Sequence, residues 1–211
     1  MQRLFLLKAL GTTVAIGLFF IAYFHLLHHP RYPVTTMHET ALDRLIPFQP
    51  QALIAYLSLW LYVGVGPGLQ RDASDLRHYA WWVGLLCAAG LLVFFFWPTQ
   101  IPPHRIDVSQ TPGFAMLQGV DAAGNACPSM HVAIATFTGL RLQDVWQRIR
   151  APVLLRALNV AWCTAIVLST LLIKQHVVLD VIAGGALGAA FAWLSLRGIS
   201  LQPRWRIARP T

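Results

Sequence analysis

Two polar side chains in the C-terminal third of the sequence have the spacing of a catalytic pair. His176 and Asp180 are four residues apart, so on a helix they lie on one face. Asp180 can then accept a hydrogen bond from one imidazole nitrogen, which fixes the tautomer and leaves the other nitrogen free to attack. The pair therefore predicts nucleophilic catalysis, although Asp180 could instead neutralise Lys174 in a structural ion pair.

A second polar group stands at the start of an earlier apolar segment. Ser129 lies near the predicted helix cap, and His131 lies in the first turn. Helix N-termini provide free N–H groups and a partial positive charge, and both favour phosphate. Together with Arg105 and Lys174, these residues would surround an oxyanion that carries a leaving group. Taken singly, each residue also has a structural reading, as an interfacial histidine or an ordinary helix start.

The elements that carry these residues are predicted to lie in a membrane. Apolar residues make up 56% of the 211 positions and charged residues 11%, with a mean hydropathy of +0.57. A soluble domain carries about 25% charged residues. The composition therefore excludes a soluble globular protein, a disordered chain and a nucleic-acid binder, and we predict one all-α membrane domain over residues 1–211.

Six segments are apolar enough to cross a bilayer, which takes about 20 residues each. We predict a bundle of six transmembrane helices with both termini in the cytoplasm. A cleaved signal peptide is the alternative for the first segment, but its apolar run is too long. The predicted spans are Leu4–Leu27, Ala52–Leu69, Tyr79–Trp97, Ser129 to about Leu142 with a continuation to Val145 or Trp146, Val153–Ile173 and Val177–Leu196.

The distribution of cations sets the orientation of this bundle. Of the 16 Lys and Arg residues, all but Arg31, Arg44, Arg105 and Lys174 fall on the side of the termini. This bias follows the positive-inside rule, so most of the net charge of +8 reports topology. The predicted site then faces outward, which we interpret as the periplasmic side of a bacterial inner membrane. A transporter is the alternative, but its ionisable residues should lie near mid-bilayer.

Two further patterns have competing interpretations. His25, His28 and His29 have a spacing that could bind a metal, although an interfacial histidine cluster is the preferred reading. Gly184 and Gly188 form a small-residue motif that allows close approach of helices in membranes. We expect this motif to pack within the bundle rather than to form a dimer interface.

Three stretches resemble the signatures of the type 2 phosphatidic acid phosphatase superfamily, which contains membrane lipid phosphatases and phosphotransferases. These signatures are Lys-x6-Arg-Pro, Pro-Ser-x-His and Ser-Arg-x5-His-x3-Asp. The second is intact from Pro128 to His131, and the third retains its histidine and aspartate at His176 and Asp180. The first is degenerate, because Arg105 is followed by isoleucine and lacks the expected preceding lysine.

The third signature also has a variant form. Ser169-Thr170 stands where the family has Ser-Arg, and "KQH" precedes the aspartate segment. This form is similar to the inositol-phosphorylceramide-synthase-like branch, in which Lys174 would replace the missing arginine. The resemblance covers roughly residues 96–188, with a weaker similarity at Ala41–Pro50.

The resemblance implies an enzyme that acts on a lipid phosphate in the bilayer and needs no metal or other cofactor. His176 would attack phosphorus to form a phosphohistidine, Asp180 would orient it, and His131 would protonate the leaving group. The expected reaction is hydrolysis of a lipid phosphate or pyrophosphate; the alternative is transfer of a phosphoryl or phospho-headgroup to a second lipid. Three side chains would hold the phosphoryl oxygens: Ser129, Arg105 and Lys174.

Overall fold

The computed structural model describes residues 2–103 and 125–199, which form a bundle of helices with one short pair of strands. In chain order the elements are α1 (Gln2–His28), β1 (Thr35–Thr36), α2 (Ala41–Leu45), a 3₁₀ turn (Pro50–Ala52), α3 (Leu53–Leu57), α4 (Leu59–Gly68), α5 (Ala73–Phe96), β2 (Thr99–Gln100), α6 (Met130–Arg148), α7 (Val153–Leu172) and α8 (Val178–Ile199). The helical fold class predicted from the sequence is confirmed.

Four helices in the described part of the chain are long and apolar enough to cross a membrane. They lie within α1, α5, α7 and α8, where the sequence predicts the first, third, fifth and sixth spans. The remaining two predicted spans correspond to α3 with α4 and to α6. The four apolar stretches are Phe5–His28, Ala73–Phe96, Val153–Leu172 and Val178–Arg197.

The second predicted span is a broken helix rather than a continuous one. α3 ends at Leu57 and α4 begins at Leu59, with Ser58 between them. The Ser58 hydroxyl donates a hydrogen bond to the carbonyl oxygen of Ala55 at 2.6 Å and accepts one from the Trp162 indole at 2.9 Å. Serine hydroxyls compete in this way with the regular helical bonds. The break separates α3, which packs beside Ile173, from α4, which packs on α6.

α6 is the central helix, because it packs against α4, α5, α7 and α8. Buried positions lie along most of its length and include the polar Thr138 and Arg141. A helix enclosed by other helices need not present an apolar surface to lipid. This position explains why α6 is less apolar than its neighbours and still lies in the core of the bundle.

Two glycines of α8 permit its close contact with α6. A Cβ atom on Gly184 would collide with the carbonyl oxygen of Ser129, and one on Gly188 would collide with that of Ala133. The small-residue motif therefore packs within the bundle, as predicted. The contact aligns the N-terminal end of α8 with that of α6.

α5 begins at Ala73, six residues before the predicted start of the third span. The Asp72 carboxylate caps this helix by accepting hydrogen bonds from the N–H groups of Ser74 and Asp75, both at 2.8 Å. This first turn of α5 is polar, so a helix start predicted from hydropathy falls inside the helix instead of at its first residue. Aspartate followed by this turn is the N-cap signal that marks the true start.

The segments that lead out of α1 and α5 are joined by backbone pairing. β1 and β2 are parallel, with Thr35 opposite Thr99 and Thr36 opposite Gln100. Asn125 forms an isolated bridge with Thr99, and its side-chain amide donates to the carbonyl oxygen of Tyr23 at 2.8 Å. These bonds connect the predicted outer loops just before the segment that carries Ser129.

Candidate active site

The predicted pair of His176 and Asp180 is assembled around the first turn of α8. The Nδ1 atom of His176 lies 3.4 Å from Oδ2 of Asp180, and the Asp180 side chain is fully buried. This separation is long for a hydrogen bond, and among the described residues Nδ1 has no hydrogen-bond partner. Asp180 Oδ2 also accepts a bond from the Val177 N–H at 3.1 Å, so the carboxylate is fixed to the turn that carries His176.

Ser129 is the N-cap of α6. Its hydroxyl oxygen accepts a hydrogen bond from the Val132 N–H at 3.3 Å, and its backbone N–H donates to the carbonyl oxygen of Asp180 at 3.1 Å. A hydroxyl that accepts one bond still has a proton to donate. Ser129 therefore joins the two segments that carry the histidines, and its side chain is completely buried in that junction.

His131 is the second residue of α6 and is held by Tyr56 of α3. The imidazole stacks on the Tyr56 ring with 3.9 Å between centroids and 11° between planes. Its Nε2 atom is 3.1 Å from the backbone carbonyl oxygen of Tyr56. A carbonyl oxygen only accepts, so Nε2 carries a proton and Nδ1 is the atom that can exchange a proton with a ligand. The segment of His131 meets the segment of His176 where the Ser129 N–H bonds the carbonyl oxygen of Asp180.

Lys174 stands in the turn between α7 and α8. Its backbone has a φ of 57°, which is uncommon for a residue other than glycine. Its ammonium group donates a hydrogen bond to the backbone carbonyl oxygen of Asp43 at 2.8 Å. Within the described chain its bonded partner is thus Asp43 rather than Asp180, so the structural ion pair considered from the sequence is not formed.

The turn that contains Lys174 is stabilised by a backbone carbonyl oxygen that accepts two hydrogen bonds. The carbonyl oxygen of Thr170 accepts hydrogen bonds from the N–H groups of Gln175 and His176, at 3.0 and 3.2 Å. The Thr170 hydroxyl donates to the carbonyl oxygen of Val167 at 2.8 Å. Thr170 therefore shapes the turn with its polar atoms and leaves Lys174 as the cation of this segment.

Asp43 is a residue of the site that the sequence analysis missed. Its carboxylate accepts hydrogen bonds from the Val178 N–H at 2.8 Å and from the backbone and hydroxyl of Thr40 at 2.8 and 2.6 Å. Burial alone would raise the pKa of Asp43, but these bonds and the charge of Lys174 outweigh it and hold the pKa below its usual value. The capping pattern Thr40-x-x-Asp43 was the available signal.

The remaining predicted features are Arg105 and the cluster of His25, His28 and His29. Arg105 lies outside the described residues. At the C-terminal end of α1, the Nδ1 atoms of His28 and His29 lie 2.8 and 3.2 Å from the carbonyl oxygens of Phe24 and His25, and the His25 and His29 rings stack. Among residues 2–103 and 125–199, no group of three or more His, Cys, Asp or Glu side chains is arranged to hold a metal ion.

The geometry allows nucleophilic substitution at a phosphorus or carbonyl centre. One imidazole stands beside a buried carboxylate, a second imidazole has a defined proton position, and an ammonium group is fixed nearby. Such groups can supply a nucleophile, a proton and charge stabilisation. All of them lie at the end of the bundle where α6 and α8 begin.

A protein-family model independently matches this part of the chain. The model describes the PAP2 superfamily and matches residues 46–194. No curated protein and no solved structure matches the chain at a significant level. The matched range includes the segments with Ser129, His131, His176 and Asp180 and covers more than half of the sequence, so the superfamily predicted from the motifs is confirmed, and the chain belongs to the PAP2 superfamily.

Proposed function

We propose that this protein is an integral membrane phosphatase that hydrolyses a lipid phosphate or pyrophosphate at the outer face of the membrane. Membership of the PAP2 superfamily indicates phosphatase or phosphotransferase activity in general. The observation that carries the more specific proposal is that the segments of His176, Asp180, His131 and Lys174 meet at one end of the bundle. The proposal keeps the predicted six spans, with the termini in the cytoplasm.

His176 is the proposed nucleophile. Because Nδ1 faces Asp180, the Nε2 atom is the one that attacks phosphorus. The new P–N bond gives a phosphohistidine while the P–O bond to the lipid breaks. Asp180 stabilises the positive charge that develops on the imidazole, and the contact between the two side chains can shorten when substrate binds.

His131 is the proposed acid for the leaving oxygen. In its protonated form it carries protons on both nitrogens, and Tyr56 holds the Nε2 proton. The Nδ1 proton is then transferred to the departing lipid oxygen, which leaves a neutral imidazole of defined tautomer. In the second step this imidazole accepts a proton from water, which attacks the phosphohistidine and releases phosphate.

Phosphate binding is assigned to Lys174, Ser129 and Arg105. The Lys174 ammonium has three protons and uses one on Asp43, so two remain for phosphoryl oxygens. The Ser129 hydroxyl can donate its proton while it caps α6. The Lys174 ammonium supplies fixed positive charge in a partly buried site, where electrostatic stabilisation of a transition state is strongest.

The second candidate function is lipid phosphotransfer within the same mechanism. It is favoured by the replacement of the family Ser-Arg by Ser169-Thr170, since Thr170 uses its polar atoms in the turn and the charge comes from Lys174. A lysine is a point charge where arginine offers a planar fork, so the phosphoryl group can bind in a different pose. In that case a lipid alcohol replaces water in the second step.

The test presents the detergent-purified protein with phosphate-labelled phosphatidate, phosphatidylglycerol phosphate and polyprenyl pyrophosphate, each with and without acceptor diacylglycerol and ceramide. Release of free phosphate without an acceptor supports the phosphatase. Transfer of label to the acceptor supports the transferase. Absence of both reactions with every substrate, in a protein that remains folded, would overturn the proposed function; loss of activity on chelation, restored by a divalent ion, would overturn its metal-free form.

A further inference from the structure

Three contacts converge on the short segment Thr40–Tyr56, which precedes the signature motifs by many residues. Asp43 bonds the N-terminal end of α8 and the Lys174 ammonium, and Tyr56 bonds and stacks on His131. Gln49 adds a backbone bond from its N–H to the carbonyl oxygen of Leu172 at 2.8 Å. The segment therefore touches both sides of the candidate active site.

Asp43 makes the most specific of these contacts. Its two carboxylate oxygens have different partners: Oδ1 accepts a hydrogen bond from the Val178 N–H, and Oδ2 accepts both hydrogen bonds from Thr40. Its backbone carbonyl oxygen accepts the Lys174 ammonium. With only 5% of its surface exposed, Asp43 is almost fully enclosed. One residue thus connects α2, the start of α8 and the cation of the turn.

The backbone of Lys174 gives a reason for such a connection. A lysine with φ of 57° adopts a left-handed conformation, which is unfavourable for a residue with a Cβ atom. Such conformations persist where surrounding contacts hold them, often at functional sites. The adjacent Ile173 is buried against Leu53 and Tyr56, so packing fixes one side of the turn and Asp43 fixes the side chain on the other.

We infer that Asp43 is a positioning residue, which holds the Lys174 ammonium and the first turn of α8 at a constant separation so that the phosphoryl group meets the cation and His176 together. The inference rests on the proposed function, since it gives Lys174 a phosphate to bind. Asp43 itself does not touch the substrate. Its effect is transmitted through the position of Lys174 and through the start of the helix that carries Asp180.

The test measures binding of orthovanadate, a phosphate mimic, by calorimetry and by inhibition of turnover. Asp43→Ala removes every side-chain bond, whereas Asp43→Asn keeps an oxygen for Val178 and an amide for the Thr40 hydroxyl. We expect Asp43→Ala to weaken vanadate binding by about tenfold, as for the loss of one charge-assisted hydrogen bond. Asp43→Asn should lie between it and the wild type. The control is Arg44→Gln, a charge change on the next, exposed residue, which should leave binding unchanged.

A double-substitution cycle separates positioning from a general loss of structure. Because part of the effect of Asp43 acts through Lys174, Asp43→Ala combined with Lys174→Met should weaken vanadate binding by less than the product of the two separate effects. Full additivity of the two effects, or equal binding by Asp43→Ala and the wild type, would overturn the inference. Should Asp43→Ala fail to fold, Asp43→Asn with Lys174→Met provides the same cycle.

The outcomes also distinguish this inference from the proposed function. A wild-type protein that neither turns over lipid phosphates nor binds orthovanadate would overturn both. A wild-type protein that does both, together with unaltered binding by the Asp43 variants, would overturn the positioning role alone.

Discussion

The backbone N–H of Ser129 donates a hydrogen bond to the backbone carbonyl oxygen of Asp180, with 3.1 Å between nitrogen and oxygen. The bond joins the segment of His131 to the segment of His176 without using a side chain. It forms at the point where Gly184 allows α8 to approach the Ser129 carbonyl oxygen. The spacing between the two histidines therefore depends on close packing of two backbones.

Gly184→Ala tests this dependence. The added Cβ would collide with the Ser129 carbonyl oxygen, so the helices must separate. We expect the free energy of unfolding to fall by about 1–3 kcal/mol and turnover to fall by roughly tenfold or more. Gly185→Ala is the matched control, because its Cβ would meet the Val132 side chain at an ordinary 3.9 Å. Equal activity of the two variants would contradict the packing role.

His176→Ala should abolish turnover, since the proposed mechanism loses its nucleophile. We expect a decrease of about a thousandfold or more, measured as phosphate release, together with the loss of a trapped phosphoenzyme. His28→Ala, which changes an exposed histidine of α1, should retain activity. More than a few per cent residual activity in a folded His176→Ala protein would remove this residue from the nucleophile position.

Tyr56→Leu should impair the step that needs His131. The substitution removes the stacked ring while the backbone carbonyl oxygen stays, so the imidazole loses one of its two constraints. We expect kcat to decrease by about 10- to 100-fold, with a smaller change in KM. Tyr56→Phe keeps a ring over the imidazole and should lose less activity. Equal kinetic parameters for the leucine variant and the wild type would show that stacking does not serve the reaction.

The pH dependence of kcat/KM should be bell-shaped. The proposed mechanism needs His176 neutral to attack and His131 protonated to donate, so activity falls when either histidine is in the other state. A rate that stays flat over the whole pH range in which the protein is folded would contradict the pairing of a histidine nucleophile with a histidine acid.

Asp43 should contribute stability that depends on pH. Its pKa is lower in the folded protein than the usual 3.8, so the contribution is complete above that value and is lost as the pH falls through the lower folded pKa. The difference in melting temperature between wild type and Asp43→Asn should therefore be constant from about pH 5 to 7. This difference in melting temperature should become smaller when the pH falls below 3.8, the usual pKa of the carboxyl group. A melting-temperature difference that instead grows as the pH falls would contradict a stabilising role for the ionised Asp43 carboxylate.

Sequence spacing predicted that His176 and Asp180 lie together, but it did not predict the residues that surround them. Short-range spacing brings His176 to Asp180, and a capping residue brings Ser129 to the start of α6, so local rules suffice for both. Asp43 and Lys174 are 131 residues apart, and no local rule joins them. Their contact follows from the packing of the whole bundle.

Hydropathy predicted the four long apolar helices and was less informative about the breaks and boundaries of the other helices. The four apolar helices were all predicted, because their outward surfaces must be apolar. The break at Ser58 was missed, since a single serine in an apolar run changes the hydropathy very little. The early start of α5 was missed for the opposite reason: its first turn is polar, although Asp72 caps it.

The enclosed position of α6 has a consequence for how the chain enters a membrane. During synthesis α6 follows α4 and α5, against which it packs, and it emerges before α7 and α8, so the side of α6 that these two helices cover is at first open. α6 is less apolar than its neighbours, and a helix with polar positions inserts poorly while part of its surface has no protein contact. Stable insertion of α6 should therefore wait for the two helices that follow, so a nascent chain that stops at Arg150 holds Ser129 and His131 outside their final setting. Completion of the last helical hairpin is then expected both to insert the centre of the protein and to assemble the candidate active site.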